Sequence, residues 1–146
     1  MMCTTKLFHR KGILINMLML DTNTCIYALN KNNNVLNALK KNMNNDLCIS
    51  SIVLAELNFG VFNSARFEEN KNKLNAFLNL LEIIPFDSKC AAEYGKLRSY
   101  LKQKGKIIGN NDLLIASHAL SVQATLITNN LSEFIQVPNL QVENWI

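Results

Sequence analysis

Hydrophobic period changes back and forth along this chain. Short apolar runs, such as Met17-Leu18-Met19-Leu20, alternate with stretches whose apolar side chains recur every three or four positions. A short apolar run bounded by polar residues reads as a buried strand, and the longer spacing reads as one face of a helix. Their regular alternation is the pattern of an α/β fold. Strands are expected at 17–20, 46–49, 82–86 and 125–128, with a last short one near Val142. Helices are expected at 22–29, from Val35 to Met43, from a cap at Ser50 or Ser51 through Val61, over 67–80, from Asp87 or Ser88 through Leu101, and from Asn111 or Asp112 through Leu120. The Asn-rich stretch 30–34 reads as a loop. No internal repeat is present, and the many asparagines are spread over loops and helix faces instead of forming a tract.

The length of 146 residues, 49% of them apolar, suits one globular domain with a substantial core. A net charge of +4 favours phosphate-bearing partners without the density of a polybasic anchor. Cys3, Cys25, Cys48 and Cys90 lie far apart with no CxxC pair, which argues against a zinc site and for free thiols in a reducing cytoplasm. The apolar stretch 12–20 is too short to span a bilayer and is followed by no small-residue cleavage site, so no membrane segment is expected. Residues 1–16 are read as a tail or upstream extension and residues 17–146 as the folded domain.

Four islands carry the chemistry: Asp21-Thr22-Asn23 after the first strand, Ala55-Glu56-Leu57, Gly109-Asn110-Asn111-Asp112, and Thr128-Asn129-Asn130 after the fourth strand. In open α/β sheets ligands bind beyond the carboxyl ends of the strands, so Asp21 and Asn130 are well placed, and Asp112 stands at the start of its helix. Glu56, flanked by Val53, Leu54, Ala55 and Leu57, is costly inside such a helix unless exposed or partnered. Three carboxylates and an amide with no His or Cys among them suit Mg²⁺ or Mn²⁺. Each has a plainer explanation: Asp21 and Asp112 as helix caps, Asn129 and Asn130 as a turn, Thr22 and Thr128 as backbone partners. Neither His9 nor His118 belongs to a nucleophile pattern; His118 reads as a packed helix residue.

In order and content the islands resemble the PIN-domain ribonucleases of the VapC toxin type. The matching segments are the apolar strand ending in Asp-Thr-Asn, Ile-Ser-Ser-Ile-Val-Leu-Ala-Glu-Leu, Ile-Gly-Asn-Asn-Asp-Leu-Leu-Ile-Ala-Ser-His-Ala, and Ile-Thr-Asn-Asn-Leu-Ser-Glu-Phe with a terminal Glu-Asn-Trp. The resemblance runs from about Met17 to Trp145. It implies a three-layer α/β/α sandwich with a mainly parallel central sheet. It also implies a Mg²⁺- or Mn²⁺-dependent endoribonuclease, the toxin of a type II toxin-antitoxin system, held by a VapB-type antitoxin and often dimeric. By motif, Asp21, Glu56 and Asp112 match the family's acidic metal positions. Asn130 falls where many members carry a fourth acid, and Glu133 stands near enough to substitute for it or to serve only its own turn.

The expected reaction is metal-assisted hydrolysis of an RNA phosphodiester. A catalytically weakened RNA- or protein-binding module is the alternative, motivated by Asn130. A small-molecule phosphohydrolase is a third class, and the chain lacks the Gly-rich phosphate loop or Asp-x-Asp nucleophile it would need. Arg98, Lys102, Lys104 and Lys106 form a cationic stretch before the Asp112 island, open to reading as a substrate contact or a solvated helix face. Phe59, Val61, Phe62 and Phe67 read either as core or as a contact for a dimer partner or antitoxin.

Overall fold

The computed structural model describes residues 17–146; the tail expected at 1–16 lies outside the described residues. Five strands, β1 (Met17–Leu20), β2 (Asp46–Ser50), β3 (Glu82–Ile84), β4 (Thr125–Ile127) and β5 (Val142–Glu143), form one sheet in the order β3-β2-β1-β4-β5. Every adjacent pair is parallel. The described residues also form α1 (Thr22–Leu29), α2 (Asn33–Lys41), α3 (Ser51–Phe62), α4 (Phe67–Leu78), α5 (Ser88–Gln103), α6 (Asn110–Val122) and α7 (Leu131–Phe134). The helices complete a three-layer α/β/α sandwich.

Burial explains the apolar runs. All four residues of β1 are buried, as are Leu47, Cys48 and Ile49 of β2 and Leu126 and Ile127 of β4. A parallel strand covered by helices on both faces has no solvent side, so its sequence does not alternate. The edge strand β3 leaves Ile83 exposed. It ends at Ile84 and not at Phe86, because Pro85 has no N–H with which to continue a ladder.

Side-chain caps fix several helix starts. Asn32 Oδ1 accepts from the Val35 N–H at 3.1 Å, which begins α2 at Asn33 and shortens the expected loop. Ser50 Oγ accepts from the Ile52 N–H at 3.0 Å and starts α3. Asp87 Oδ1 accepts from the N–H groups of Lys89 and Cys90 and starts α5. The buried His118 ties the α6 interior to the α3 start, its Nδ1 lying 2.7 Å from Ser50 Oγ and its ring edge-on to Phe86.

The sheet order sets the functional edge. From β1 the chain proceeds to β2 and β3 on one side, while β4 and β5 lie on the other. Leu20 pairs with Ile127, so the carboxyl ends of β1 and β4 are adjacent where the order reverses. Such a reversal opens a crevice between the diverging crossovers.

Candidate metal centre

Asp21 occupies the residue after β1 and is only 4% exposed. Its backbone N–H donates to the Ile127 carbonyl at 3.0 Å, and the Thr24 hydroxyl donates to the same carbonyl at 3.1 Å. Asp21 Oδ1 caps α1 by accepting from the Thr24 N–H at 2.9 Å. Asp21 is thus a cap, as its plainer explanation held, and that cap also pins its carboxylate at the mouth of the crevice.

Glu56 projects from α3 and is held by both oxygens. Oε1 accepts a short hydrogen bond from the Thr22 hydroxyl, and Oε2 accepts from Asn111 Nδ2 at 2.7 Å. One carboxylate therefore joins the starts of α1 and α6. The Thr22 hydroxyl orients a site carboxylate. Thr128, by contrast, accepts from the Asn130 N–H at 3.0 Å and completes a turn.

Asp112 lies in the first turn of α6, but it is not the cap. The N-cap is Gly109, and no side chain caps this helix. Burial raises the Asp112 carboxyl, followed by a hydrogen bond and charge from Glu133 and by the charges of Asp21 and Glu56, to a pKa of about 7. These causes are themselves geometric: Asp112 lies close enough to Glu133, Asp21 and Glu56 to feel the charge of each.

Asn130 stands at the N-terminal boundary of α7 and makes no side-chain cap. Glu133, three residues on, turns inward. Its Oε1 is buried without a conventional partner, yet it faces the Asp112 carboxyl. Two carboxyl groups in contact share a proton or repel, so a proton on Asp112 or an intervening cation would satisfy this atom.

Among the described residues, no three His, Cys, Asp or Glu side chains already surround a single point. Asp112 and Glu133 close on each other, and Glu56 is drawn to Thr22 and Asn111. The donor set fits a hard divalent ion. It is all oxygen, no ion pair among the described residues reaches it, and its mutual repulsion is what a cation would relieve. Asp21 and Asp112 are the direct ligand candidates, with Glu56 and Glu133 beside them.

Sequence reasoning missed Asn111 as a partner of Glu56, although an amide adjacent to Asp112 was a usable signal. Beside Glu56, a cleft of about 270 Å³ lined by Ile26, Leu29, Leu57 and Val61 runs between α1, α3 and α4. On the same helix Phe59 and Phe62 are 70% and 73% exposed, whereas Val61 is buried. Of the apolar set at 59–67, then, part is core and part is surface.

The PIN domain family model matches residues 18–140. The chain is 58% identical over 131 residues to Ribonuclease VapC2 of Rickettsia felis, spanning 87% of this chain and 96% of that protein. It is 38% identical over 128 residues to the tRNA(fMet)-specific endonuclease VapC of Salmonella typhimurium, spanning 87% and 96%. Among solved structures, it superposes with a TM-score of 0.86 and 55% identity on a chain of VapBC2 from Rickettsia felis bound to a DNA fragment from their promoter, covering 89% of this chain and 99% of that one.

Proposed function

The chain belongs to the VapC ribonucleases of the PIN domain family, and from that membership we propose that it is a divalent-metal-dependent endoribonuclease, the toxin of a type II toxin-antitoxin pair. The observation that carries the metal dependence is the convergence of Asp21, Glu56, Asp112 and Glu133, with the Asp112 carboxyl pushed up to about 7 first by burial and then by Glu133, Asp21 and Glu56. Glu133, buried beside Asp112, offers a fourth acid in place of Asn130, which supports turnover over the weakened binding module.

Asp21 and Asp112 would hold Mg²⁺ or Mn²⁺, with Glu56 and Glu133 contributing directly or through water. When bound, such an ion supplies positive charge for the phosphoryl oxygens and eases deprotonation of a water. The chain's own part is positioning. Thr22 and Asn111 hold Glu56 through both of its oxygens, and the Asp21 cap fixes the ligand nearest the sheet. Glu133, beside the direct ligands, is placed to accept the proton released as water attacks.

A transfer RNA is the substrate to test first, given the named substrate of the Salmonella relative. A VapB-type antitoxin partner is supported by the VapBC complexes on which this fold superposes. The apolar cleft beside Glu56 and the exposed Phe59 and Phe62 give such a partner, or a second copy in a homodimer, a surface to cover. Among the described residues no helix is long and apolar enough to cross a membrane, and a cytoplasmic location agrees with the buried free thiols of Cys25, Cys48 and Cys90.

The test is cleavage of initiator tRNA by wild type and Glu56→Gln with Mg²⁺, with Mn²⁺ and with chelator. We expect metal-dependent cutting by wild type and a loss of at least about 100-fold in the variant. Equal cutting by both proteins, or cutting that persists in chelator, would contradict the assignment.

A further inference from the structure

Positive charge is concentrated in one segment. Residues 89–106 hold six of the chain's 15 Lys and Arg and one of its 11 acids, so the remainder of the chain has one more acid than base. The single acid, Glu93, is paired with Lys96 at 3.6 Å. Arg98, Lys102, Lys104 and Lys106 have no carboxylate partner among the described residues. Arg98 instead donates to the Tyr94 hydroxyl at 3.0 Å and lies over that ring, while Lys104 lies over Tyr100. Aromatic contacts hold these cations in place without neutralising them.

Three of the four line one cleft. Arg98, Lys102 and Lys106 surround a depression of about 420 Å³ closed on its other side by Asn110 and Leu113 of α6. The rim has a fixed shape. Gly105, at φ +68°, donates its N–H to the Lys102 carbonyl at 3.1 Å, and Lys106 donates to the Leu101 carbonyl at 2.9 Å. This paired pattern ends α5 in a Schellman turn, which needs a left-handed residue at the Gly105 position and points Lys106 back toward the cleft. Across from it, Asn110, the first residue of the uncapped 13-residue helix α6, lines the same space.

Asn110 and Leu113 lie on a different side of that first turn from Asp112, the ligand candidate between them in sequence. The cleft and the acid cluster are therefore separated by about one helix diameter, ~10 Å, on the order of three stacked-nucleotide rises. We propose that the cleft between α5 and α6 is the RNA-backbone subsite, in which Arg98, Lys102 and Lys106 bind phosphates of nucleotides next to the cleaved bond. The proposal rests on the endoribonuclease reading. It assigns these cations to phosphate contact and leaves base preference to other residues.

The test separates the two readings by measuring binding without cleavage. A short fluorescein-labelled single-stranded RNA is titrated in chelator, at several salt concentrations, with the full chain and two double variants, each checked for an unchanged melting temperature. Lys102→Ala with Lys106→Ala removes two cleft cations, and Lys40→Ala with Lys41→Ala removes the same charge from α2. Each lost phosphate contact lowers the salt slope by about 0.7 and, at 0.15 M salt, weakens binding about fourfold. The cleft variant should bind roughly 15-fold more weakly with a slope smaller by about 1.4, and the α2 variant should stay within about twofold of wild type. With Mg²⁺, the cleft variant should raise KM for tRNA and leave kcat at saturation unchanged. Equal losses in the two variants, no loss in the cleft variant, or no RNA binding by wild type would overturn the proposal. Wild type that binds RNA through the cleft but cuts none would leave the subsite standing and overturn the nuclease reading.

Discussion

Asp112→Asn should stabilise the protein at pH 8 in chelator while removing its response to Mg²⁺. Burial, the facing Glu133 and the charges of Asp21 and Glu56 move the Asp112 carboxyl from 3.8 to about 7. Between those two values the folded protein binds more protons than the unfolded chain. The stability contributed by the protonated carboxyl is therefore complete below about pH 4 and is lost as pH rises through 7. The full shift corresponds to about 4 kcal/mol, and because the carboxyl is partly exposed, solvent screening reduces this to on the order of 1–2 kcal/mol. Asparagine keeps the shape and offers Glu133 an N–H donor at every pH. For a domain of this size the gain is worth ~3–8 °C in melting temperature. Thermal unfolding followed by circular dichroism at pH 5 and pH 8 reads it directly. The variant should melt higher than wild type at pH 8, the gap should close toward pH 5, and Mg²⁺ should raise wild type alone. Other titrations, His118 included, are common to both proteins and cancel in the difference. A variant that melts below wild type at pH 8 in chelator would refute the reasoning, since Asp112 would then gain more from its surroundings as a carboxylate than it loses.

Three further outcomes follow from individual contacts. Thr22→Val removes the hydroxyl that donates to Glu56 and should lower single-turnover cleavage by about 10-fold with little change in melting temperature, the loss of one hydrogen bond to a charged group; unchanged turnover would mean that Glu56 needs no such orientation. Burial pushes the His118 pKa down to about 4, so the stability of the neutral ring is complete above about pH 6.5 and lost as pH falls toward 4. His118→Phe should accordingly flatten the acid limb of urea-unfolding stability, while costing about 1–2 kcal/mol at pH 7 through the Ser50 contact. Gly105→Ala meets nothing within 4 Å at its Cβ but sits at φ +68°, and should lose about 1–2 kcal/mol by chemical denaturation purely from the left-handed backbone.

Strands and long helices were legible because burial leaves a direct trace. Met17 to Leu20 could only be covered on both faces, and the polar residue that follows such a strand stands at a sheet's ligand edge. Boundaries were less legible where several residues compete. Asn110, Asn111 and Asp112 all favour a helix start, and the structure gives the cap to Gly109, which frees Asp112 for the cluster. The fourth acid was legible only as a choice. Motif order points to Asn130 and spacing allows Glu133 either as its substitute or as a residue of its own turn, and the short turn of α7 carries Glu133 inward to face Asp112. Asn111 was overlooked because an exposed amide has no pattern of its own; its role exists only once α3 brings Glu56 beside it.

The central claim is that Asp21, Glu56, Asp112 and Glu133 share one hard cation at the carboxyl ends of β1 and β4. Anomalous scattering from crystals grown with Mn²⁺ tests it most directly. The account predicts a peak within bonding distance of Asp21 and Asp112 oxygens, absent from Asp112→Asn crystals. A peak elsewhere, or none at millimolar Mn²⁺ in crystals of the folded wild type, would contradict it.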